Sequence, residues 1–315
     1  MTARISLAEV QAAAARIRQY AHRTPVWTCN SLDVQVGAQV FFKCENFQKA
    51  GAFKFRGACN AVFSLDDDEA ASGVATHSSG NHAGALALAA RLRGIQAHVV
   101  IPRTAPPVKM AAVKAYGGII TTCEPTLKSR ESTLKDVVAK TGASFIHPFN
   151  DARIIAGQGT AAMELLDEVP ELDLVLAPVG GGGLLSGTAV AVSELSPETK
   201  VFGAEPANAD DAYRSMKAGR IIPSEDPRTI ADGLRTSLGS LTFPIIQERV
   251  ENIVLVSEEA IISAMRYVWE RMKIIIEPSA AVAVGAVLNG DLDISGKRVG
   301  IILSGGNVDL ERLPW

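Results

Sequence analysis

A lysine amine set among apolar and small residues is a candidate nucleophile. Lys54 lies in such a stretch, Gly51-Ala52-Phe53-Lys54-Phe55-Arg56-Gly57-Ala58. Flanking aromatics strip water from an ammonium and favour the neutral amine, which can attack a carbonyl to form a Schiff base. A lysine whose stem packs while its head reaches water fits the same residues, so this segment alone decides nothing. A second stretch, Pro178-Val179-Gly180-Gly181-Gly182-Gly183-Leu184-Leu185-Ser186-Gly187, sets consecutive glycines where an apolar run gives way to a helical one. Glycines permit positive φ and leave N–H groups open, and a helix N-terminus adds partial positive charge, so the loop suits a phosphate. It is not a P-loop, since no Gly-Lys-Ser/Thr follows, and it is not a dinucleotide fingerprint.

Two further junctions have the same character. Thr76-His77-Ser78-Ser79-Gly80-Asn81-His82-Ala83-Gly84 follows an apolar run and leads into alanine-rich sequence. Its hydroxyls, amide and backbone donors suit a carboxylate and a ring oxygen, although Ser78 serves equally as a helix cap. His77 and His82 would share a face only on an unbroken helix, so no metal pair is expected there. Leu303-Ser304-Gly305-Gly306-Asn307 closes another apolar run.

The elements that must position these residues read as α/β. Short β-branched runs alternate with alanine-rich helical stretches, the pattern of parallel sheets covered on both faces. Strands are expected at 40–44, 73–77, 98–101, 118–122, 174–178, 201–204, 253–256 and 299–303. Helices are expected to begin near Asn81, Lys109, Glu131, Gly157, Leu184, Glu258 and Pro278, and Ser6 with Glu9 reads as a capping box opening a helix to about Ala21. Three or four βα units up to His147-Pro148-Phe149-Asn150 suggest a smaller lobe, 73–150, between parts of a larger one, 1–66 and 151–315. Ligands gather beyond the carboxyl ends of strands in open α/β sheets, so Lys54 and the three glycine-containing turns can meet in one crevice.

Composition excludes other classes. Hydrophobic residues form 47% and charged residues 21% of the 315-residue chain, ordinary for a globular protein of one or two domains. A formal net charge of −3 favours neither nucleic acid nor an anionic membrane as partner. Apolar runs are too short to span a bilayer, and the first residues lack a signal-peptide core. Cys29, Cys44, Cys59 and Cys123 form no CxxC or zinc spacing, so free thiols in a reducing cytoplasm are expected.

Taken together these motifs resemble the fold-type II pyridoxal-phosphate enzymes, in particular the serine racemase and serine/threonine dehydratase family. The resemblance runs through Glu45-Asn46-Phe47-Gln48-Lys49, Phe53 to Ala58, Thr76 to His82, Ala156-Gly157-Gln158-Gly159-Thr160, the tetraglycine stretch, Glu205-Pro206 and Ser304-Gly305-Gly306-Asn307. It implies two open, mostly parallel sheets, the tryptophan synthase beta-like architecture, with pyridoxal 5'-phosphate as cofactor. Lys54 would hold the cofactor and act as general base. Gly180, Gly181, Gly182, Gly183 and Leu184 would grip its phosphate, Phe53 would pack on its ring, and Asn81 would meet the ring hydroxyl. Ser304 would meet the pyridine nitrogen, and a hydroxyl there makes the ring a weaker electron sink than a carboxylate would. That favours prompt loss of a β-substituent, and so elimination of water from a small β-hydroxy amino acid.

The resemblance also implies that Ser78, Ser79, Gly80 and Asn81 bind the substrate carboxylate, and that residues 230–237, including Gly233 and Thr236, line the substrate side. Ser79 has two readings: a carboxylate ligand, or an acid/base opposite Lys54 that would add racemase activity. Arg130, in the small lobe that closes over substrate, is either a surface residue or the anchor of a second carboxylate. The substrate is accordingly L-serine/L-threonine or 3-hydroxyaspartate. Glu205, the Ala209 carbonyl and Asp211 resemble a divalent-cation loop for Mg2+, or Ca2+ or Mn2+. A cytoplasmic homodimer is implied, without the regulatory extension of biosynthetic threonine dehydratases. A non-catalytic ligand-binding relative is disfavoured by Lys54, and a β-replacement synthase by the Ser-Ser-Gly-Asn-His turn.

Overall fold

The computed structural model describes residues 5–78, 80–105 and 107–315. Ten strands form two sheets. They are β1 (Val26–Thr28), β2 (Gln39–Cys44), β3 (Val74–His77), β4 (Ala97–Pro102), β5 (Ile119–Cys123), β6 (Ser144–Phe145), β7 (Leu174–Pro178), β8 (Lys200–Pro206), β9 (Asn252–Val256) and β10 (Arg298–Leu303). The six-stranded sheet has the order β1-β2-β10-β7-β8-β9, and the four-stranded sheet β5-β4-β3-β6. Every pairing is parallel except the edge pair of β1 and β2. All eight expected strands are present within two residues of their expected ends, in two mostly parallel sheets as expected. The two unexpected strands, β1 and β6, are an antiparallel edge and a two-residue pairing. Both are too short to carry a periodic pattern.

Each large sheet face is covered because its strands are apolar on both sides. All of β7 is buried, and β10 is buried from Val299 to Leu303. The helix Pro278–Leu288, apolar except for Ser279, packs on one face, while the helices Ala152–Glu168 and Gly183–Leu195 pack on the other. Four helices differ from expectation at their ends. The first ends at Ile17 rather than Ala21, and those expected at 131 and 157 begin at Leu127 and Ala152, capped by Thr126 and Asp151. The helix expected near Lys109 begins at Pro107. Helix ends are set by caps that hydrophobic periodicity does not display. The described residues contain no helix long and apolar enough to cross a membrane, and all four cysteines are free and buried.

The helix Lys54–Ser64, unread in the sequence, connects the two halves by packing on both Ala152–Glu168 and Asn81–Arg93. Its crossing with Ala152–Glu168 needs glycine on both sides, because a Cβ on Gly157 would lie 2.6 Å from Gly57 Cα. Below it lies a buried charge network. The Arg56 guanidinium makes paired bonds to Glu45 (2.7 and 2.8 Å) and to Glu164 (2.8 and 2.7 Å), and Lys43 reaches Glu164 at 2.8 Å. Lys43, Glu45 and Arg56 are fully buried. Burial depresses the Arg56 pKa, but the carboxylate of Glu45 and then Glu164 more than offset it and hold the guanidinium above its usual range. This network fastens the first turn of the helix, which carries Lys54, to β2 and the large half.

Candidate active site

The crevice lies where β3, β7 and β10 end and where the chain passes from β2 to Lys54. Ala52 bridges to Gly305, and the Phe53 N–H donates to the Ser304 carbonyl at 2.9 Å, so Lys54 starts its helix directly beside the end of β10. Its Nζ lies 5.0 Å from the Phe53 ring centroid and donates to the Pro148 carbonyl at 2.9 Å. Burial pushes the amine down to about 8, with the Glu277 charge opposing. A neutral amine is thus accessible near physiological pH, as the sequence suggested. Only one of the two flanking aromatics contributes: Phe55 turns into the core, away from the amine. Helical geometry separates neighbours by about 100°, so sequence adjacency did not mean shared surroundings.

The His147-Pro148-Phe149-Asn150 turn ties the lysine to the glycine loop. His147 Nδ1 accepts the N–H groups of Phe149 (3.2 Å) and Asn150 (2.9 Å). Burial, followed by His77 and Lys54, drives this imidazole down to about 4, which keeps that nitrogen free to accept. Phe149 lies under the loop so closely that a Cβ on Gly181 would meet its ring at 2.3 Å. Gly182 has φ +87° and precedes the helix Gly183–Leu195, and Thr242 Oγ1 donates to the Gly181 carbonyl at 2.8 Å. The loop is buried, yet the N–H groups of Gly181, Gly182 and Gly183 find no acceptor among the described residues. Buried unpaired donors at a helix N-terminus are a seat for an anion. Leu184 completes that first turn.

The turn after β3 opens on the same space. Ser78 Oγ accepts the Gly80 N–H at 3.3 Å, and a Cβ on Gly80 would meet nothing within 4 Å, so this backbone faces the crevice. Ser79 lies outside the described residues. Asn81 begins its helix and bonds to Glu277 and Asn307. Gly233 holds Ser279 through its N–H and packs on Gly180 through Leu234. Thr236 is exposed and makes no hydrogen bond to these residues. Lys109, on the helix Pro107–Ala115 of the four-stranded half, pairs with Asp232 of the large half across the crevice. Arg130 lies near His77 and Cys123, close enough for its charge to act on both, and its buried Nε has no partner among the described residues.

Ser304 is buried at the end of β10, and its neighbourhood holds Asn307, the last residue of the same motif, and one residue unread in the sequence, Glu277. A sign existed for Glu277: a lone acid in Ile274-Ile275-Ile276-Glu277-Pro278, just ahead of a helix apolar but for Ser279. A loop of this kind, a depressed lysine and a hydroxyl at the end of the adjacent strand together fit a phosphorylated aldehyde cofactor.

The profile of the family described as pyridoxal-phosphate dependent enzyme matches residues 17–305. The chain belongs to that family. Beta-hydroxyaspartate dehydratase of Paracoccus denitrificans is 54% identical over 307 residues, 98% of each chain. The crystal structure of serine racemase from Dictyostelium discoideum has a TM-score of 0.93 at 51% identity, covering 97% of this chain and 99% of that one. The crystal structure of threonine deaminase from T.th. has a TM-score of 0.92 at 45% identity, covering 98% and 100%. This pyridoxal-phosphate enzyme therefore shares its whole fold with dehydratases and racemases alike.

The Glu205 loop is a separate cluster. Glu205 accepts the N–H groups of Ala212 and Tyr213 at 2.8 Å each, which places it over the start of the helix Asp211–Ala218. Asp211 is buried; neither of its oxygens nor the Ser224 hydroxyl makes a well-formed hydrogen bond among the described residues, although Ser224 lies close enough to act on the carboxylate. Burial pushes Glu205 up to about 9 and Asp211 up to about 6. The described residues hold no group of three or more His, Cys, Asp or Glu side chains arranged for a metal. Two carboxylates and the Ala209 carbonyl, which ends a short 3-10 turn, are the available donors.

Proposed function

We propose that this pyridoxal-phosphate enzyme is a dehydratase that removes water from 3-hydroxyaspartate to give a 2-oxo acid and ammonia. The observation that carries the substrate choice is Arg130, whose buried Nε has no acceptor among the described residues and whose charge acts on His77 at the end of β3. A guanidinium there can take the second carboxylate in two parallel bonds. The 54% identity to a protein named beta-hydroxyaspartate dehydratase supports the same choice. When bound, the cofactor supplies an electron sink for charge developing at the substrate Cα.

The chain's own residues do the rest. Gly180, Gly181, Gly182, Gly183 and Leu184 hold the phosphate, Phe53 lies against the ring, and Asn81 and Ser304 meet its hydroxyl and nitrogen. Ser78, Ser79, Gly80 and Asn81 hold the α-carboxylate, with Gly233 and Thr236 on the substrate side. Lys54 Nζ, neutral and desolvated, takes the proton from Cα. The β-hydroxyl leaves as water with a proton equivalent to the one Lys54 takes from Cα, and the released enamine hydrolyses to the 2-oxo acid and ammonia. The four-stranded half, 73–150, closes over the substrate through the Lys109–Asp232 pair.

Racemisation is the second reading, favoured by the likeness to serine racemase, with Ser79 as the proposed second acid/base. The test is a panel of 3-hydroxyaspartate stereoisomers, L-serine, D-serine and L-threonine, assayed for 2-oxo acid, ammonia and enantiomer exchange. Arg130→Met is expected to lower kcat/KM for hydroxyaspartate by roughly a hundredfold while leaving L-serine turnover within a few-fold. Equal losses on both substrates would remove Arg130 from the site.

We also propose that Glu205, the Ala209 carbonyl and Asp211 hold Mg2+, or Ca2+ or Mn2+, with water completing the shell. The buried Asp211 carboxylate, with no well-formed hydrogen bond among the described residues, supports this, since hard oxygen donors suit such ions. Saturating Mg2+ is expected to stabilise the chelated protein by about 2.7 kcal/mol at a hundred times the Kd. Thermal unfolding with and without chelator reads this out, and Asp211→Asn should erase the difference. An unchanged midpoint in wild-type protein would leave the loop an acidic turn.

A further inference from the structure

Asn81 is held from two sides. Its Nδ2 donates to Glu277 Oε1 at 2.7 Å, and its Oδ1 accepts from Asn307 Nδ2 at 3.0 Å. The sense of both bonds is determined by their far partners. Asn307 Nδ2 also donates to the Ala50 carbonyl at 2.8 Å, so it cannot offer an acceptor to Asn81. Turning the Asn81 amide over would set N–H against N–H. One hydrogen on Asn81 Nδ2 is therefore spoken for by Glu277, and one remains.

Glu277 is itself built in. It is buried, its N–H donates to the Gly305 carbonyl at 3.0 Å, and a Cβ on Gly305 would lie 2.7 Å from Oε1. Gly305 bridges to Ala52, two residues before Lys54. The carboxyl thus sits in the seam between the end of β10, the strap that carries Lys54 and the Asn81 helix. Burial, then Asp232, push it up to about 8, while Lys109 and its bond from Asn81 oppose. In either protonation state it retains an oxygen that can accept from Asn81.

We propose that Glu277 and Asn307 are positioning residues that lock the Asn81 amide so that its remaining N–H faces the cofactor ring, and that they thereby set cofactor affinity. This rests on the reading that Asn81 meets the ring hydroxyl. The experiment is titration of purified apoprotein with pyridoxal 5'-phosphate, following visible absorbance and protein fluorescence, with thermal midpoints measured on each apoprotein.

Asn81→Ala and Glu277→Ala are each expected to weaken the cofactor Kd by roughly tenfold, with a shifted visible maximum. Asn307→Ala, at an exposed position, is expected to act in the same direction. Glu277→Gln keeps an acceptor of the same shape and should restore affinity to within about threefold. If Asn81→Ala weakens binding and both Glu277→Ala and Asn307→Ala leave it unchanged, the positioning role is wrong while the Asn81 contact stands. If Asn81→Ala itself has no effect, both fail. A loss in Glu277→Gln equal to that in Glu277→Ala also overturns it, because the amide still accepts.

Discussion

Lys54→Ala will lower turnover by roughly 10⁴-fold, the upper end of what one acid/base group contributes, while the protein still binds pyridoxal phosphate through its glycine loop. In the proposed mechanism the amine both captures the cofactor and moves the Cα proton, and no other described lysine is placed in the Phe53–Pro148 niche. Borohydride treatment followed by mass measurement should show added cofactor mass in the wild type and none in the variant. Retained turnover within tenfold would displace Lys54 from the chemistry. The lowered pKa adds a pH signature to the apoprotein. The amine is neutral above about 8 rather than above its ordinary 10.5, so the rate of cofactor capture should climb through pH 8 and level off. Stability has the matching sign. The unfolded chain keeps this proton to 10.5 and the folded apoprotein releases it near 8, so this group's contribution becomes more favourable as pH rises across that window.

Arg56→Leu will destabilise the protein by about 3–5 kcal/mol, the cost of stripping one partner from a buried ion pair. Glu45 is fully buried, and both its oxygens and both of Glu164's face the guanidinium at 2.7–2.8 Å. Leucine would leave Glu164 with Lys43 and the buried Glu45 carboxylate with only the Thr24 hydroxyl. Urea midpoints measured on apoprotein check this. Arg56→Lys keeps the charge but loses the fork, and should fall between. Adding Glu45→Gln to Arg56→Leu should recover part of the loss, since the penalty lies in the unpaired charge. A loss below about 1 kcal/mol, typical of surface pairs, would mean the network is open to water.

Much of the site was legible because phosphate and carboxylate recognition is local. Consecutive glycines after an apolar strand already specify a backbone that can turn donors inward, and the Ser-Ser-Gly-Asn segment reads in the same way. The strand positions were equally readable, since parallel strands buried on both faces are uninterrupted apolar runs. Helix ends at Ile17, Leu127 and Ala152 were not, because capping bonds and packing decide them.

By itself, then, the sequence determined the fold class, the family's motifs and the identity of the amine, all of which depend on residue type and short-range order. Only the tertiary structure decided what surrounds that amine. Phe55 leaves it for the core, Pro148 supplies its acceptor from 94 residues away, and Glu277 reaches Asn81 across 196. Such contacts join residues that no local pattern relates, and they exist because two sheets pack so that the ends of their strands meet at one crevice.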